Sequence, residues 1–373
     1  MSMTNEVKNL QKQDDTNFFV RLAKYFFPCK GDSASEIIRK LIFMCSIVLF
    51  LMSLNELTNF LKNDETELSY AQSMTKYEPD WNKINSESPQ TEDAPDVSDN
   101  NEGSAKPTAD PNEQMGVRKV QEWAKELLEK SPEVIGWIKI PGFCNSLGDE
   151  YINYPVMQRK YEGDIDAAND YYLTHDMLGN YYESGSIFAD CYIPINEEGQ
   201  PDNIVIYGHN MRKIGTVFSH LNEYKSGVDQ LKKYPVIEFN TVYERNARYV
   251  IIGCFVAAVS DWQDDVEIFD YWRFRNFDND KHSFQRWISN VRKQSWYSCD
   301  VECTEDDDYI TLSTCSNEVR GMRYVVVAKK LRPDDNLDLI IRSYEEKADR
   351  DIYFPKVWRN VWGNNKKYLG WSY

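Results

Sequence analysis

The sequence has little histidine, and its cysteines lack the spacing of a metal site. Only four histidines occur in 373 residues, at positions 175, 209, 220 and 282. There is no C-x-x-C, and the closest cysteine pair, Cys299 and Cys303, has no histidine near enough to complete a zinc set. The sequence therefore predicts no metal. A nucleophile that needs an imidazole also has few partners to choose from.

The chain also lacks a surplus of basic residues. Its 60 acidic and 43 basic side chains give a net charge of -17 and a pI near 4.8. A protein that binds nucleic acid would carry a basic stripe or domain, so we expect no nucleic-acid partner. The aromatic content of 14% is typical of a folded chain.

Long apolar runs are absent except for one near the N-terminus. Residues 41–54, LIFMCSIVLFLMSL, carry no charge, and Ile37, Ile38, Leu57 and Phe60 lengthen the apolar stretch. About 20 apolar residues cross a bilayer, and flanking cations can snorkel to the interface. A cleaved signal peptide or a buried core helix are alternatives, but no small-residue cleavage site follows the run. We therefore predict an uncleaved transmembrane signal anchor over residues 37–57.

Charges on the two sides of this run predict its orientation. Lys30, Arg39 and Lys40 precede it and acidic residues follow it, so residues 1–36 should remain in the cytoplasm. The expected location is the cell membrane, with a single pass and an extracellular folded domain. Residues 58–115 are acidic and rich in Pro, Ser, Thr and Asn, which favours a disordered, self-repelling stalk.

The folded part begins near residue 116 with a predicted helix over residues 117–130. Short β-branched and aromatic runs follow, among them VIGWIKI, NIVIYG, ARYVIIGCFVAAV, DYITLST and RYVVVAKK. Few helices interrupt them, the clearest being KHSFQRWISNVRK. The pattern predicts a mainly β fold, a closed or nearly closed barrel of about eight strands with peripheral helices. A doubly wound α/β sheet would need a helix after most strands, and most gaps are too short.

The stretch DDDYITLSTCSNEVRGMRYVVVAKKL places a cysteine at the end of one strand and an arginine at the start of the next. If these strands pair in antiparallel fashion, Cys315 and Arg323 come close. A cation there could lower the thiol pKa and stabilise an oxyanion. A structural hairpin capped by a solvated arginine is the alternative, and the stretch alone leaves both open.

One histidine is placed to serve such a thiol. His209 follows the apolar strand NIVIYG at a glycine-containing turn, although a histidine in this position is often a hydrogen-bonded loop residue. His175 lies in a loop and is a weaker candidate, whereas His220 and His282 lie in helical segments as surface or packing residues. Disulfides are possible outside the cell, but with Cys315 reduced the other five cysteines beyond the apolar run cannot all pair.

These motifs carry a family resemblance. TLSTC resembles the cysteine signature of sortases, the membrane-anchored cysteine transpeptidases of Gram-positive bacteria, and IVIYGHNM is similar to their histidine motif. The class B branch fits best, because PEVIGWIKIPG, INYPVMQ, NDYYLTHDMLG and SGSIFAD resemble its successive blocks. The helix in KHSFQRWISNVRKQSWY resembles its additional helix before the cysteine strand. The resemblance is collinear over residues 117–331 and implies a catalytic domain at 116–332.

The resemblance implies roles for five residues. Cys315 would be the nucleophile, His209 the general acid and base, and Arg323 the oxyanion-stabilising cation. Ser313 and Tyr207 fall where the family lines its substrate groove. Arg320 also follows the cysteine, and the assignment of Arg323 depends on the strand YVVVAKK that it opens. Glu318 is interpreted as a loop carboxylate.

The implied reaction is acyl transfer without a metal or cofactor. The enzyme would cleave the C-terminal sorting signal of a secreted protein after Thr, form a Cys thioester, and transfer the protein to an amine of a peptidoglycan precursor. A transpeptidase that polymerises pilins through a lysine is one alternative. A cell-wall cysteine peptidase or amidase is another, and a membrane-tethered binding module with a structural cysteine is a third.

Residues 333–373 lie beyond the resemblance and are rich in Trp and Tyr, with interleaved Lys and Arg. Two interpretations remain open for this C-terminal aromatic and basic extension. It packs on the barrel as an appended helix and strand, or it forms a contact surface for wall glycan or lipid headgroups.

Overall fold

The computed structural model describes residues 24–86, 118–160, 163–277, 280–363 and 367. The chain divides into two compact units, residues 1–66 and residues 67–373. The second unit includes both the predicted catalytic domain and the predicted C-terminal extension. No structural break between the two therefore appears at residue 332.

The described part of the first unit contains most of a long helix, α1 (Ala34–Met74). Its apolar side chains are largely exposed, including Ile42, Leu49 and Phe50. In the described part of the chain, this is the one helix long and apolar enough to cross a membrane by length and composition. It contains the predicted anchor at residues 37–57, while the membrane topology stays a prediction.

The second unit is built on a closed barrel of eight strands, which confirms the predicted fold class. Most neighbours are antiparallel, but β2 pairs with β3 and β4 pairs with β10 in parallel. Pairing of β1 with β7 closes the barrel. In order around the barrel the strands are β1 (Val134–Lys139), β2 (Asn153–Met157), β3 (Ile187–Ala189), β4 (Asn203–Tyr207), β10 (Tyr309–Cys315), β11 (Arg323–Lys330), β8 (Arg248–Ala257) and β7 (Val236–Thr241).

Helices and short strands surround the barrel. A small hairpin pairs β5 (Asn210–Met211) with β6 (Thr216–Val217), and a separate two-stranded sheet pairs β9 (Tyr297–Ser298) with β12 (Glu345–Glu346). The further helices are α2 (Trp81–Ser86), α3 (Glu122–Lys130), α4 (Ile165–Tyr171), α5 (Val228–Lys233), α6 (Lys281–Gln294), α7 (Leu337–Ser343) and α8 (Lys356–Trp362). The predicted N-terminal helix begins at Glu122 rather than near residue 117, which lies outside the described residues.

The additional helix before the cysteine strand is present as α6, as predicted. Gly253 on β8 allows its close approach, since a Cβ there would lie 2.8 Å from Val291 of α6. Phe284 and Trp287 of α6 are fully buried and pack near Tyr309 of β10. Strands β8, β10 and β11 are buried along nearly their whole length. This burial explains the continuous apolar runs of β8 and β11, whereas β10 also buries the hydroxyls of Thr311, Ser313 and Thr314.

The prediction of a disordered stalk is wrong for residues 67–86. Residues 67–74 complete α1, and α2 follows after a short 3-10 helix, Thr75–Tyr77. The buried carboxylate of Glu67 accepts hydrogen bonds from the Ser184 amide at 3.1 Å and from the Ser184 hydroxyl. The overall acidity of this segment favoured disorder, but its apolar and aromatic side chains, such as Met74 and Trp81, pack on the domain. Residues 87–115 of the predicted stalk lie outside the described residues.

The C-terminal extension packs against the barrel. Trp358 of α8 is fully buried, with its ring centroid 6.1 Å from that of Trp296. The ring of Phe354 stacks on Trp358. The basic side chain of Lys356 pairs with Asp265 at 2.8 Å. These contacts correspond to the packing interpretation of the extension. Residues 364–366 and 368–373 lie outside the described part.

Candidate active site

The β10–β11 hairpin brings a thiol and a guanidinium together. Cys315 ends β10, Arg323 begins β11, and the two residues are Cα partners in the antiparallel register. Residues paired in this way have side chains on the same face of the sheet. Arg320 lies in the intervening turn and is exposed. Register therefore places Arg323, rather than Arg320, across from Cys315.

His209 reaches the same edge of the barrel from the neighbouring strand. Strand β4 runs parallel to β10, with Tyr207 opposite Ser313. His209 and Cys315 each lie two residues beyond that pair, and the ends of parallel strands meet at one sheet edge. Chain segments more than 100 residues apart are joined here by the Asn210 side-chain amide, which donates to the Cys315 carbonyl at 2.7 Å.

The imidazole of His209 has a fixed orientation. Its Nε2 lies 2.9 Å from the backbone carbonyl oxygen of Leu173, which can only accept a hydrogen bond. Nε2 therefore carries a proton in this arrangement, and in the neutral ring Nδ1 is the nitrogen that can accept one. The preceding Gly208 fits because a Cβ there would lie 2.7 Å from the Phe218 ring.

A groove of about 810 Å³ opens beside Arg323. Tyr207, Tyr271 and Arg323 belong to its lining. Burial raises the pKa of the Tyr271 hydroxyl to about 12, with opposing electrostatic contributions from Arg323 and Cys315. In the described part of the chain, the Arg323 side chain makes no hydrogen bond or ion pair. Its guanidinium is therefore available to a ligand in the groove.

An ion pair organises another part of the groove lining. Arg275 donates to both carboxylate oxygens of Asp190, from Nε at 3.1 Å and from Nη2 at 3.0 Å. The Tyr207 hydroxyl donates to Asp190 Oδ2 at 3.2 Å. Burial, and then the Asp190 charge, hold the pKa of Tyr207 well above its ordinary value. The phenol thus stays protonated and its position is fixed.

The two residues predicted to line a substrate groove differ in their surroundings. Tyr207 contributes to the lining, whereas Ser313 is 2% exposed. The hydroxyl of Ser313 lies 2.7 Å from that of Tyr271, which does line the groove. A direct contact of Ser313 with substrate stays a prediction, and the structure connects it to the groove through Tyr271.

The other histidines have structural surroundings. His175 stacks on Tyr171, with ring centroids 4.0 Å apart, and its Nδ1 lies 2.8 Å from the Tyr171 carbonyl oxygen. His220 Nδ1 lies 2.6 Å from Glu223. His282 is exposed in the first turn of α6. His209 is thus the histidine at the strand edge that carries Cys315.

All eight cysteines are free thiols. Cys315 is half-buried, at the mouth of the barrel. Burial raises the pKa of Cys254 strongly and that of Cys303 to about 12, which keeps both protonated at neutral pH. Among the residues that the structure describes, no three His, Cys, Asp or Glu side chains are placed to hold a metal ion.

The contacts of several residues at the site could not be predicted from the sequence. The Leu173 carbonyl that orients His209, and the Asp190–Arg275 pair, come from loops whose partners are distant along the chain. Glu318, interpreted as a loop carboxylate, does lie in the turn, but its side chain is buried against Lys225. The ordered blocks NDYYLTHDMLG, which contains Leu173, and SGSIFAD, which ends at Asp190, marked two of these positions but not their contacts.

Comparison with known proteins identifies the family. The family model for the sortase domain matches residues 152–331. Sortase B of Staphylococcus aureus (strain NCTC 8325 / PS 47) is 30% identical over 225 residues, which cover 59% of this chain and 80% of the relative. Sortase B of Listeria monocytogenes serovar 1/2a is 29% identical over 210 residues, covering 53% of this chain and 69% of the relative.

Solved structures similar to this chain include a Staphylococcus aureus sortase B-substrate complex. It has a TM-score of 0.46 and 25% identity, and the match covers 58% of this chain and 87% of that one. Clostridium perfringens sortase B has a TM-score of 0.44 and 25% identity, with coverage of 56% and 99%. From the sequence identity and coverage of its relatives, the chain belongs to the class B sortases.

Proposed function

We propose that this chain is a membrane-anchored cysteine transpeptidase. It cleaves the C-terminal sorting signal of a secreted protein after Thr, and it transfers the protein to an amine of a peptidoglycan precursor. The observation that carries the proposal is the meeting of Cys315, Arg323 and His209 at one barrel edge through the pairing of β10 with β11 and β4.

The first half-reaction forms a thioester. The Cys315 thiolate attacks the threonine carbonyl carbon, and the negative charge that develops on the oxygen is stabilised by the Arg323 guanidinium. The bond between that carbon and the leaving nitrogen then breaks. Formation of the thiolate transfers the Cys315 thiol proton to His209 Nδ1, since Nε2 is held by the Leu173 carbonyl. His209 then donates this proton from Nδ1 to the leaving amine.

The second half-reaction resolves the thioester. An acceptor amine attacks the thioester carbon and His209 Nδ1 takes the proton that the amine loses. The C–S bond breaks, the Cys315 thiolate is regenerated, and a new amide joins the two substrates. Arg323 stabilises the second oxyanion as it did the first.

The groove beside Arg323 is where we place the sorting peptide. Its lining by Tyr207, Tyr271 and Trp272 offers aromatic surface, and Arg323 borders it. Concave sites of this size with a few fixed polar groups are typical of ligand binding. A peptide lying here would present its threonine carbonyl between Cys315 and Arg323.

The apolar part of α1 supports the proposed location. Its length and composition suit a bilayer crossing. The cations before it favour a cytoplasmic N-terminus and an extracellular barrel. Secreted substrates and wall precursors would then be on the same side of the membrane as the site.

The test uses the full chain in detergent with a threonine-containing sorting peptide, with and without an amine acceptor. We expect a product that requires the amine and a thioester trapped on Cys315. Cys315→Ala should abolish both, whereas Cys144→Ala, which removes another half-buried free thiol, should abolish neither.

Other outcomes separate the alternatives. Hydrolysis that is unaffected by the amine would indicate a cysteine peptidase or amidase, and a strong preference for a pilin lysine would indicate pilus assembly. Turnover retained in Cys315→Ala would refute the assignment of the nucleophile.

A further inference from the structure

A buried ion pair lies in the turn between the cysteine and the arginine. Glu318 belongs to the turn at residues 316–322, and its Oε1 lies 2.5 Å from Nζ of Lys225. Both side chains are only 1% exposed. Turn residues are usually solvated, so a charged pair sealed from water at this point calls for a specific cause.

Lys225 contacts the turn at three points. Besides Glu318, its Nζ lies 3.5 Å from the carbonyl oxygen of Ser316, the residue after Cys315. It also lies 4.4 Å from the ring centroid of Tyr324, the residue after Arg323. A single ammonium group therefore touches the chain next to the nucleophile, next to the arginine, and between them.

The same lysine belongs to the element that follows the histidine hairpin. Lys225 lies on a 3-10 helix, Ser219–Ser226, directly after β6. The hairpin of β5 and β6 begins one residue after His209, and the Phe218 amide donates to the His209 carbonyl at 3.0 Å. The ion pair thus connects the chain segment of His209 to the hairpin of Cys315 and Arg323.

Stability alone explains this pair poorly. Burial lowers the pKa of Lys225 to about 8, although Glu318 opposes that effect. Desolvation of two charges can cost more than their attraction returns, and a buried pair replaced by apolar residues is often as stable or more so. Such a pair does restrict the turn to one geometry, since the two charged groups must remain in contact.

We propose that Lys225 and Glu318 are positioning residues that hold the turn so that Arg323 and Cys315 stay opposite each other at the paired ends of β10 and β11, beside the groove. This inference rests on the proposed function, because it assigns the two residues to the same thiol and cation. Neither residue is given contact with substrate. Their effect is on where the Arg323 guanidinium lies relative to the thiol.

Three variants test the proposal in the full chain. Lys225→Met and Glu318→Gln each break the pair and leave one partner buried. The double variant Lys225→Met/Glu318→Leu removes both charges, and we expect it to recover stability relative to Lys225→Met. Lys329→Met is the matched control, because Lys329 is fully buried on the same β11 and pairs with Asp335 at 2.9 Å.

The first readout is the rate of Cys315 alkylation by iodoacetamide at a fixed pH, followed by mass spectrometry of its peptide. A guanidinium close to a thiol favours the reactive thiolate, so a misplaced Arg323 should slow alkylation about threefold or more in all three variants. The second readout is turnover of the sorting peptide. We expect kcat to fall about tenfold or more with KM within about twofold, since a small misplacement of catalytic groups is costly.

The double variant distinguishes a positioning role of the Lys225–Glu318 pair from a role in folding stability alone. If it regains stability and shows the wild-type alkylation rate and kcat, the proposal is refuted. An equal loss of alkylation rate in Lys329→Met would refute it as well. Because alkylation needs no peptide substrate, failure of the wild-type chain to turn over any sorting peptide would count against the proposed function and leave the alkylation result to judge the positioning role.

Discussion

Replacement of Arg323 by lysine tests whether the site needs a planar guanidinium or only a positive charge. Arg323 is half-buried opposite Cys315 and lines the groove, and its side chain makes no hydrogen bond or ion pair among the described residues. Under the proposed function, its planar guanidinium is available to the oxyanion that forms on the substrate. Lysine keeps the charge but loses the planar fork and the two-point geometry.

The expected magnitude follows from the loss of one oxyanion donor. Such losses cost about 100-fold to 1,000-fold in kcat, or about 2.7–4 kcal/mol. For Arg323→Lys we expect the lower value, about 100-fold, because the retained ammonium still attracts the developing charge. KM should change little, since the interaction is made mainly in the transition state.

The assay is steady-state transpeptidation of a sorting peptide by the full chain, with thioester formation followed by mass spectrometry. Arg320→Lys is the matched control, because Arg320 lies exposed in the same turn. It should stay within about twofold of wild type, as surface substitutions usually have small effects. A kcat for Arg323→Lys within about fivefold of wild type, or a large loss in Arg320→Lys instead, would refute the reasoning.

Three further predictions concern stability. Asp190→Asn leaves the Arg275 side chain, which is 14% exposed, without its anion. We expect the free energy of unfolding in urea to fall by about 3 kcal/mol. A loss below about 1 kcal/mol would show that the pair does not organise the groove wall. Trp358→Ala should lower the free energy of unfolding by about 3–5 kcal/mol because the ring is fully buried. Leu339→Ala, at a residue 60% exposed in the same extension, should lower it little. Equal losses in the two variants would contradict the packing of the extension. For Lys225, a folded pKa of about 8 against an ordinary 10.5 means that, between these pH values, the unfolded chain binds a proton that the native chain has lost. The unfolding free energy of wild type minus that of Lys225→Met should therefore rise from pH 8 to 10.5, and a flat difference would contradict the shift.

Much of the fold followed from local patterns. The short β-branched runs and the scarcity of helices between them predicted the barrel, and α6 appeared before the cysteine strand as expected. The error was in residues 67–86, where average composition favoured a stalk. Tyr70 and Met74 are one helical turn apart, and in the structure they pack with the second hydrophobic core.

The candidate site was predictable in part. TLSTC and the strand opened by Arg323 fixed a hairpin register, because strand alternation and a short turn leave few pairings. Glu318 does lie in the loop, as interpreted, but its burial against Lys225 was not predicted. A charged side chain in a turn is normally solvated, and nothing local indicates that Lys225 will cover it.

The sequence by itself determined which residues could do the chemistry and which strand ends they occupy. The short β-branched runs of β4, β10 and β11 suffice for that, since strand formation there depends on neighbouring residues. Only the tertiary structure decided that β4 lies parallel to β10, that Leu173 orients His209, and that Lys225 anchors the turn. These are contacts between distant segments, and they depend on how the whole barrel buries its apolar surface and pairs its buried polar groups.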